Sequence, residues 1–277
     1  MSVQSQARTS VLSRSNPLAW WWALLTLVSG VNIAVWCWLF YRFHAQAAGT
    51  LDSRAGAELL LCAAYVFGCA FRSFLPRADV QRICLFDTWL SSVVVGRSVA
   101  TVAELCFAAQ WVLVLQQLGE TMGAVTALNA AQVVMPLIVI AECVSWYAVL
   151  TKNNMLHGVE NSLWAVAFSA VGIGFCRLLF EFDGVVRGIL VVAIIGIAGY
   201  LAFLITVDVP MYFARWRAKV SDGTTRLRPL EGLREVSARC VVTHDLAEWR
   251  EEILWMSLYF SAGVWASLAL CVLKFPV

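Results

Sequence analysis

Residues 188–207 read GILVVAIIGIAGYLAFLITV, twenty positions without a charged side chain or a proline. As a helix this stretch rises about 30 Å, the thickness of the hydrocarbon core of a bilayer. The apolar run extends over 187–213, and six others resemble it, at 17–41, 57–75, 84–117, 121–151, 161–182 and 250–274. Together they predict an all-α, polytopic integral membrane helix bundle of seven transmembrane helices. A polar tail, 1–16, precedes the first span, and an amphipathic loop, 214–249, separates the last two.

Composition points the same way. Of 277 residues, 61% are hydrophobic and 14% charged, with a mean hydropathy of +0.75. A soluble domain carries about 25% charged residues, because its surface must face water. The net charge of +2 gives no basic field for nucleic acid. The expected surroundings are the lipid bilayer, and the expected ligand is lipidic or a small molecule. Nine cysteines show no CxxC spacing and read as small buried hydrophobes.

Lysine and arginine counts set the predicted orientation, since cytosolic loops carry the excess. Fourteen fall on the side of the N-terminal tail and the 214–249 loop, five on the other, and Arg97 alone lies away from the ends of a span. The N-terminus is therefore expected in the cytosol and the C-terminus outside. Trp20, Trp21, Trp22, Trp216, Trp249 and Trp255 gather at the expected inner interface, where amphipathic rings settle. In the loop, Pro229 suits the start of a short helix with Leu230, Leu233 and Val236 on one face, and Glu235 stands four before Arg239. Asp245 and Glu248 have the spacing of an N-terminal capping box.

Ionisable residues inside the spans carry the functional signal, because each costs about 2.5–3.5 kcal/mol at a helix centre. Arg97, Glu104 and Glu142 are three such residues. With a third span entering the core near residue 88, Arg97 lies about 14 Å deep and Glu104 about 24 Å. Glu142, on the antiparallel fourth span, lies about 12 Å from the same face. These depths predict an Arg97–Glu142 ion pair. Arg97→Ala and Glu142→Ala should each lower the folded yield, and the double change should cost less than their sum; additive losses would remove the pair.

A second group gathers at predicted cytosolic span ends: His157, Glu160 and Asn161 open the fifth, Asp208 and Tyr212 close the sixth, and Glu251 and Glu252 begin the seventh. With Glu142 they would line a carboxylate-rich pocket. His157, Glu160 and Glu142 are candidate ligands for Fe, Mn or Zn, because imidazole with carboxylates suits those ions. The bland alternative is that acids near a helix start only complement its dipole. Pro210, just after Asp208, frees backbone groups near a span end. At the outer end of the fifth span, Arg177, Glu181, Asp183 and Arg187 have the density of a salt-bridged turn.

Some chemistries are excluded. Lys152, Lys219 and Lys274 are the only lysines and none is mid-span, so a retinal Schiff base has no anchor. His44, His157 and His244 contain no His-x-x-x-His, so a three-histidine zinc site is not available. P-loop, GxSxG and HExxH patterns are missing. Three readings stand. One is a membrane-embedded enzyme with Glu142, His157 and Glu160 as acid/base groups or ligands. Another is a small-solute or proton transporter or channel using Arg97, Glu104 and Glu142, with Asn161 and Asp208 also binding or relaying. The third is a non-catalytic membrane subunit or sensor.

Overall fold

The computed structural model describes residues 16–46, 53–222, 227–238 and 240–272, and these are almost wholly helical. Seven helices among them are long and apolar enough to cross a membrane. In chain order the elements begin with α1 (Pro17–Gln46) and α2 (Ser53–Phe74). Two short strands follow, β1 (Arg77–Ala78) and β2 (Ile83–Cys84). Next come α3 (Val93–Met122), α4 (Val125–Thr151), α5 (Asn154–Leu178) and α6 (Gly184–Phe203). A π-helical turn, Leu204–Asp208, leads into α7 (Val209–Ser221), so the sixth span is one helix with a widened turn inside it. After α8 (Pro229–Ser237) and β3 (Val241–Val242), α9 (Leu246–Leu258) passes through a second π-turn, Tyr259–Gly263, into α10 (Val264–Val272).

Local chemistry sets the helix ends. Asn16 caps α1, its side-chain oxygen accepting from Leu18 N at 3.0 Å, with Pro17 in the first helical position. Lys152 takes a left-handed conformation (φ 54°) to end α4, and Asn153 caps α5 by accepting from Met155 N at 3.1 Å. Asp245 caps α9 by accepting from Ala247 N at 2.9 Å. The turn after α5 carries Arg177–Glu181 and Arg187–Asp183 ion pairs, each at four-residue spacing, as its charge density predicts. Pro136 lies within α4.

Three boundaries depart most from the sequence reading, and the first is the fifth helix, which starts at Asn154 rather than at 161 and so takes in His157 and Glu160. The third helix starts at Val93 rather than at 84, because Ile83–Cys84 is drawn into a sheet. There β2 pairs antiparallel with β1 and parallel with β3. A later start places Arg97 only about 6 Å along its helix. The sixth span runs on to Ser221 instead of ending at 213, so the polar connection is shorter than expected. Helix α8 forms where Pro229 suggested, but Leu230 is exposed and Val236 alone of its apolar face is buried. Glu235 pairs with Lys152; Arg239, the partner its spacing suggested, lies outside the described residues. Cysteines divide between inside and outside: Cys62, Cys69 and Cys84 are buried, whereas Cys37, Cys143 and Cys176 are on the surface.

The chain forms two compact units. Among the described residues, one contains those up to Ala103 together with Val236–Val272, and the other contains Glu104–Glu235. In the first unit Asn32 donates to the Phe260 carbonyl at 3.0 Å, satisfying backbone at the second π-turn. In the second unit α4 and α5 pack as an antiparallel hairpin through the tight turn at Lys152–Asn153.

Candidate functional site

The second unit collects most of the acids singled out above. Glu104, Glu142, His157, Glu160 and Asp208 are each less than a tenth exposed. Glu104 comes from α3, Glu160 from α5, and Asp208 from the π-turn after α6. The π-turn is the physical reason Asp208 sits where it does: one extra residue per turn rotates the side chains that follow it and loosens the backbone ladder. Pro210, in the first turn of α7, removes a further donor.

Two hydrogen-bonded pairs are built from these residues. His157 Nδ1 meets Glu160 Oε2 at 2.9 Å, one helical turn apart on α5. With Glu160 ionised, Nδ1 donates the proton and Nε2 is the basic nitrogen. Asn161 Nδ2 donates to Asp208 Oδ2 at 3.0 Å, tying α5 to the π-turn. The Tyr212 ring lies 5.2 Å from the His157 ring, and the Arg215 guanidinium stands 5.7 Å from the Tyr212 centroid. Gly158 lets α7 approach, since a Cβ there would meet the Phe213 ring at 3.0 Å.

Tyr200, on α6, joins the pairs. The carboxyl groups of Glu104, Asp208 and Glu160 all act electrostatically on its hydroxyl. Three helices thus bring three acids to bear on one phenol. Tyr200 lay in a run read only as apolar, and eight residues, about two turns, separate it from Asp208. That spacing was the available signal.

Among the described residues no group of three His, Cys, Asp or Glu side chains is placed to hold an ion. His157 and Glu160 use donor atoms on each other. Glu142 stands about 14 Å up α4 from the shared turn and His157 about 4–5 Å up α5, a difference of about 9 Å along the hairpin.

A second polar cluster, in the first unit, was not foreseen. The β1–β2 turn buries Arg77 and Asp79 beside Arg72 at the end of α2 and Arg97 at the start of α3. Arg77 Nε donates to Asp79 Oδ1 at 2.8 Å and Nη1 to the Ser92 carbonyl at 2.8 Å. Arg82 donates to the Asp79 carbonyl at 3.1 Å. Burial pushes the Asp79 carboxyl up, but Arg77, Arg72 and Arg97 outweigh it and hold the group below the usual carboxylate range. Burial also pulls the Arg77 guanidinium down, and Asp79 opposes that. Arg97 is thus buried, as expected of it, and lies within the field of Asp79 as well.

Compared with protein-family models, with curated proteins and with solved structures, the chain has no match. The functional reading therefore rests on the chemistry of these residues.

Proposed function

We propose that this chain is a multi-pass membrane protein, with its N-terminus in the cytosol, that relays protons through the buried acids of its second unit. Seven helices of spanning length and apolarity support the membrane assignment, and the fourteen-to-five distribution of lysine and arginine supports the orientation. One observation carries the functional reading: the adjacent residues Glu160 and Asn161 of α5 are hydrogen-bonded to His157 and to Asp208 of the π-turn, so that buried titratable groups from two elements gather in one unit.

Energetics explain why that grouping favours proton exchange. A charged acid at the centre of a spanning helix costs about 2.5–3.5 kcal/mol, a sizeable share of the whole stability of a typical domain, about 5–15 kcal/mol. The four acids, Glu104, Glu142, Glu160 and Asp208, can take up and release protons, and Tyr200, Asn161 and His157 add a hydroxyl, an amide and an imidazole to the same unit. An array whose members trade protons at small cost is what conduction requires. The widened turn at Asp208 adds backbone groups that do not belong to a regular ladder.

The full chain, reconstituted in liposomes containing a pH-sensitive dye and driven by a potassium diffusion potential, should move protons faster than empty vesicles. Equal rates would end this reading. A second reading, an enzyme acting on a lipidic or membrane-soluble substrate, is favoured by the His157–Glu160 pair, whose carboxylate orients an imidazole as a general base needs. A lipid that copurifies and is chemically altered by the wild type but not by His157→Ala would support it over the relay.

A further inference from the structure

The arginine cluster of the first unit has the chemistry of an anion site, and we propose that it binds a phosphate group. This inference is independent of the proton relay, which lies in the other unit. Arg72 is 6% exposed and Arg77 is 1% exposed. Buried guanidinium groups ordinarily use most of their N–H donors on acceptors, because an unmet buried donor costs free energy. Among the described residues, no acceptor reaches Arg72 Nε or Arg77 Nη2. Arg72 is held instead by aromatic rings: its guanidinium carbon lies 5.5 Å from the Trp255 centroid and 5.6 Å from that of Phe260.

This arrangement fixes a cation in place and leaves donor atoms without an acceptor. Rings satisfy the face of a guanidinium and leave the N–H groups around its edge for an in-plane acceptor. Arg77 is fixed as firmly, by Asp79 Oδ1 and the Ser92 carbonyl on two nitrogens, with its Nη2 left over. Asp79 feels Arg72, Arg77 and Arg97 together. A compact, multiply charged anion with several acceptor oxygens satisfies two such forks at once, which a single carboxylate does less well.

The position suits a ligand arriving at the membrane surface. Two residues beyond Arg72, Phe74 is 38% exposed, and its carbonyl accepts from the Trp22 indole at 3.3 Å. Exposed aromatic rings with bonded indole N–H groups are the pattern of the headgroup level of a bilayer. The shared chemistry is a phosphate monoester or inorganic phosphate, reaching the cluster from an anionic lipid headgroup or from solution.

The test titrates the detergent-purified full chain with short-chain phosphatidic acid, short-chain phosphatidylcholine and inorganic phosphate, reading tryptophan fluorescence, since Trp255 packs on Arg72. Saturable binding of phosphatidic acid and none of phosphatidylcholine is expected. Arg72→Gln should weaken that binding by about tenfold or more, the loss of one charge-assisted bond. Arg72→Lys, which keeps the charge and loses the planar fork, should weaken it too and serves if the glutamine variant does not fold. Arg217→Gln, at an exposed site on α7, should leave binding unchanged. Inorganic phosphate binding as tightly as the lipid would identify a soluble phosphate as ligand; binding of the lipid alone would identify a headgroup. No saturable binding of either, or equal losses in Arg72→Gln and Arg217→Gln, would overturn the proposal.

Discussion

A single methyl group at residue 96 is expected to cost the protein most of its folded yield. A Cβ built on Gly96 would lie 1.5 Å from Arg77 Nη1 and 1.7 Å from its Cζ. A flexible side chain elsewhere would move aside at little cost. Arg77 cannot, because it is buried and bonded to both Asp79 and the Ser92 carbonyl. Gly96→Ala therefore expels the guanidinium and leaves the Asp79 carboxylate buried without its nearest partner. Breaking a buried ion pair costs about 3–5 kcal/mol, a large share of a total stability of about 5–15 kcal/mol.

Fluorescence-detected size exclusion and thermal melting of the detergent-solubilised protein would show the loss. Gly196→Ala is the control: it is within α6, nothing lies within 4 Å of its added Cβ, and it should melt at or slightly above the wild type, by about 0.5–1 kcal/mol of helix propensity. In an Arg77→Met, Asp79→Asn background, Gly96→Ala should cost little more, since the group it displaces is gone. If Gly96→Ala melts like Gly196→Ala, Arg77 does not occupy the space above Gly96.

Glu160→Gln is expected to lower proton flux by about a hundredfold, the scale of losing a positioned proton donor and acceptor. Glutamine has nearly the shape of glutamate but neither accepts nor releases a proton near neutral pH. The Glu160 carboxyl is buried and bonds His157 directly, next in sequence to Asn161, which holds Asp208. His157→Ala should be milder, because the carboxyl remains. Glu231→Gln, on the exposed surface of α8, should leave the flux unchanged. Wild-type flux in a folded Glu160→Gln protein would take this residue out of the relay.

Much of the frame was readable from residue types alone. Seven apolar runs became seven helices of spanning length because a long apolar segment satisfies its own backbone internally only as a helix. Asn16, Asn153 and Asp245 begin helices by local bonds within two residues, and Pro17 by its fixed backbone angle, so helix starts of this kind follow from short-range chemistry. Glu104, Glu160, Asn161 and Asp208 were conspicuous as polar groups within or at the ends of apolar runs. His157–Glu160 is a one-turn contact on a single helix, so helical spacing alone brings the two side chains near each other.

What the sequence by itself determined was therefore what depends on short-range rules: the helical class, the apolar spans, the caps and the presence of costly acids. Only tertiary structure decided which distant residues meet. Ile83–Cys84 leaves the third helix because β1 and β3, the latter more than 150 residues away, offer its backbone a ladder. Tyr200 gains its role from acids on two other helices, and Arg72 from rings on the last span. Arg77 looked like one more positive charge beside the membrane, whereas in the fold it is a buried group inserted above a glycine. The physical reason is common to all of these. Pattern along a chain records what a residue needs from its immediate neighbours, while a buried charge is set by partners that packing alone brings to it.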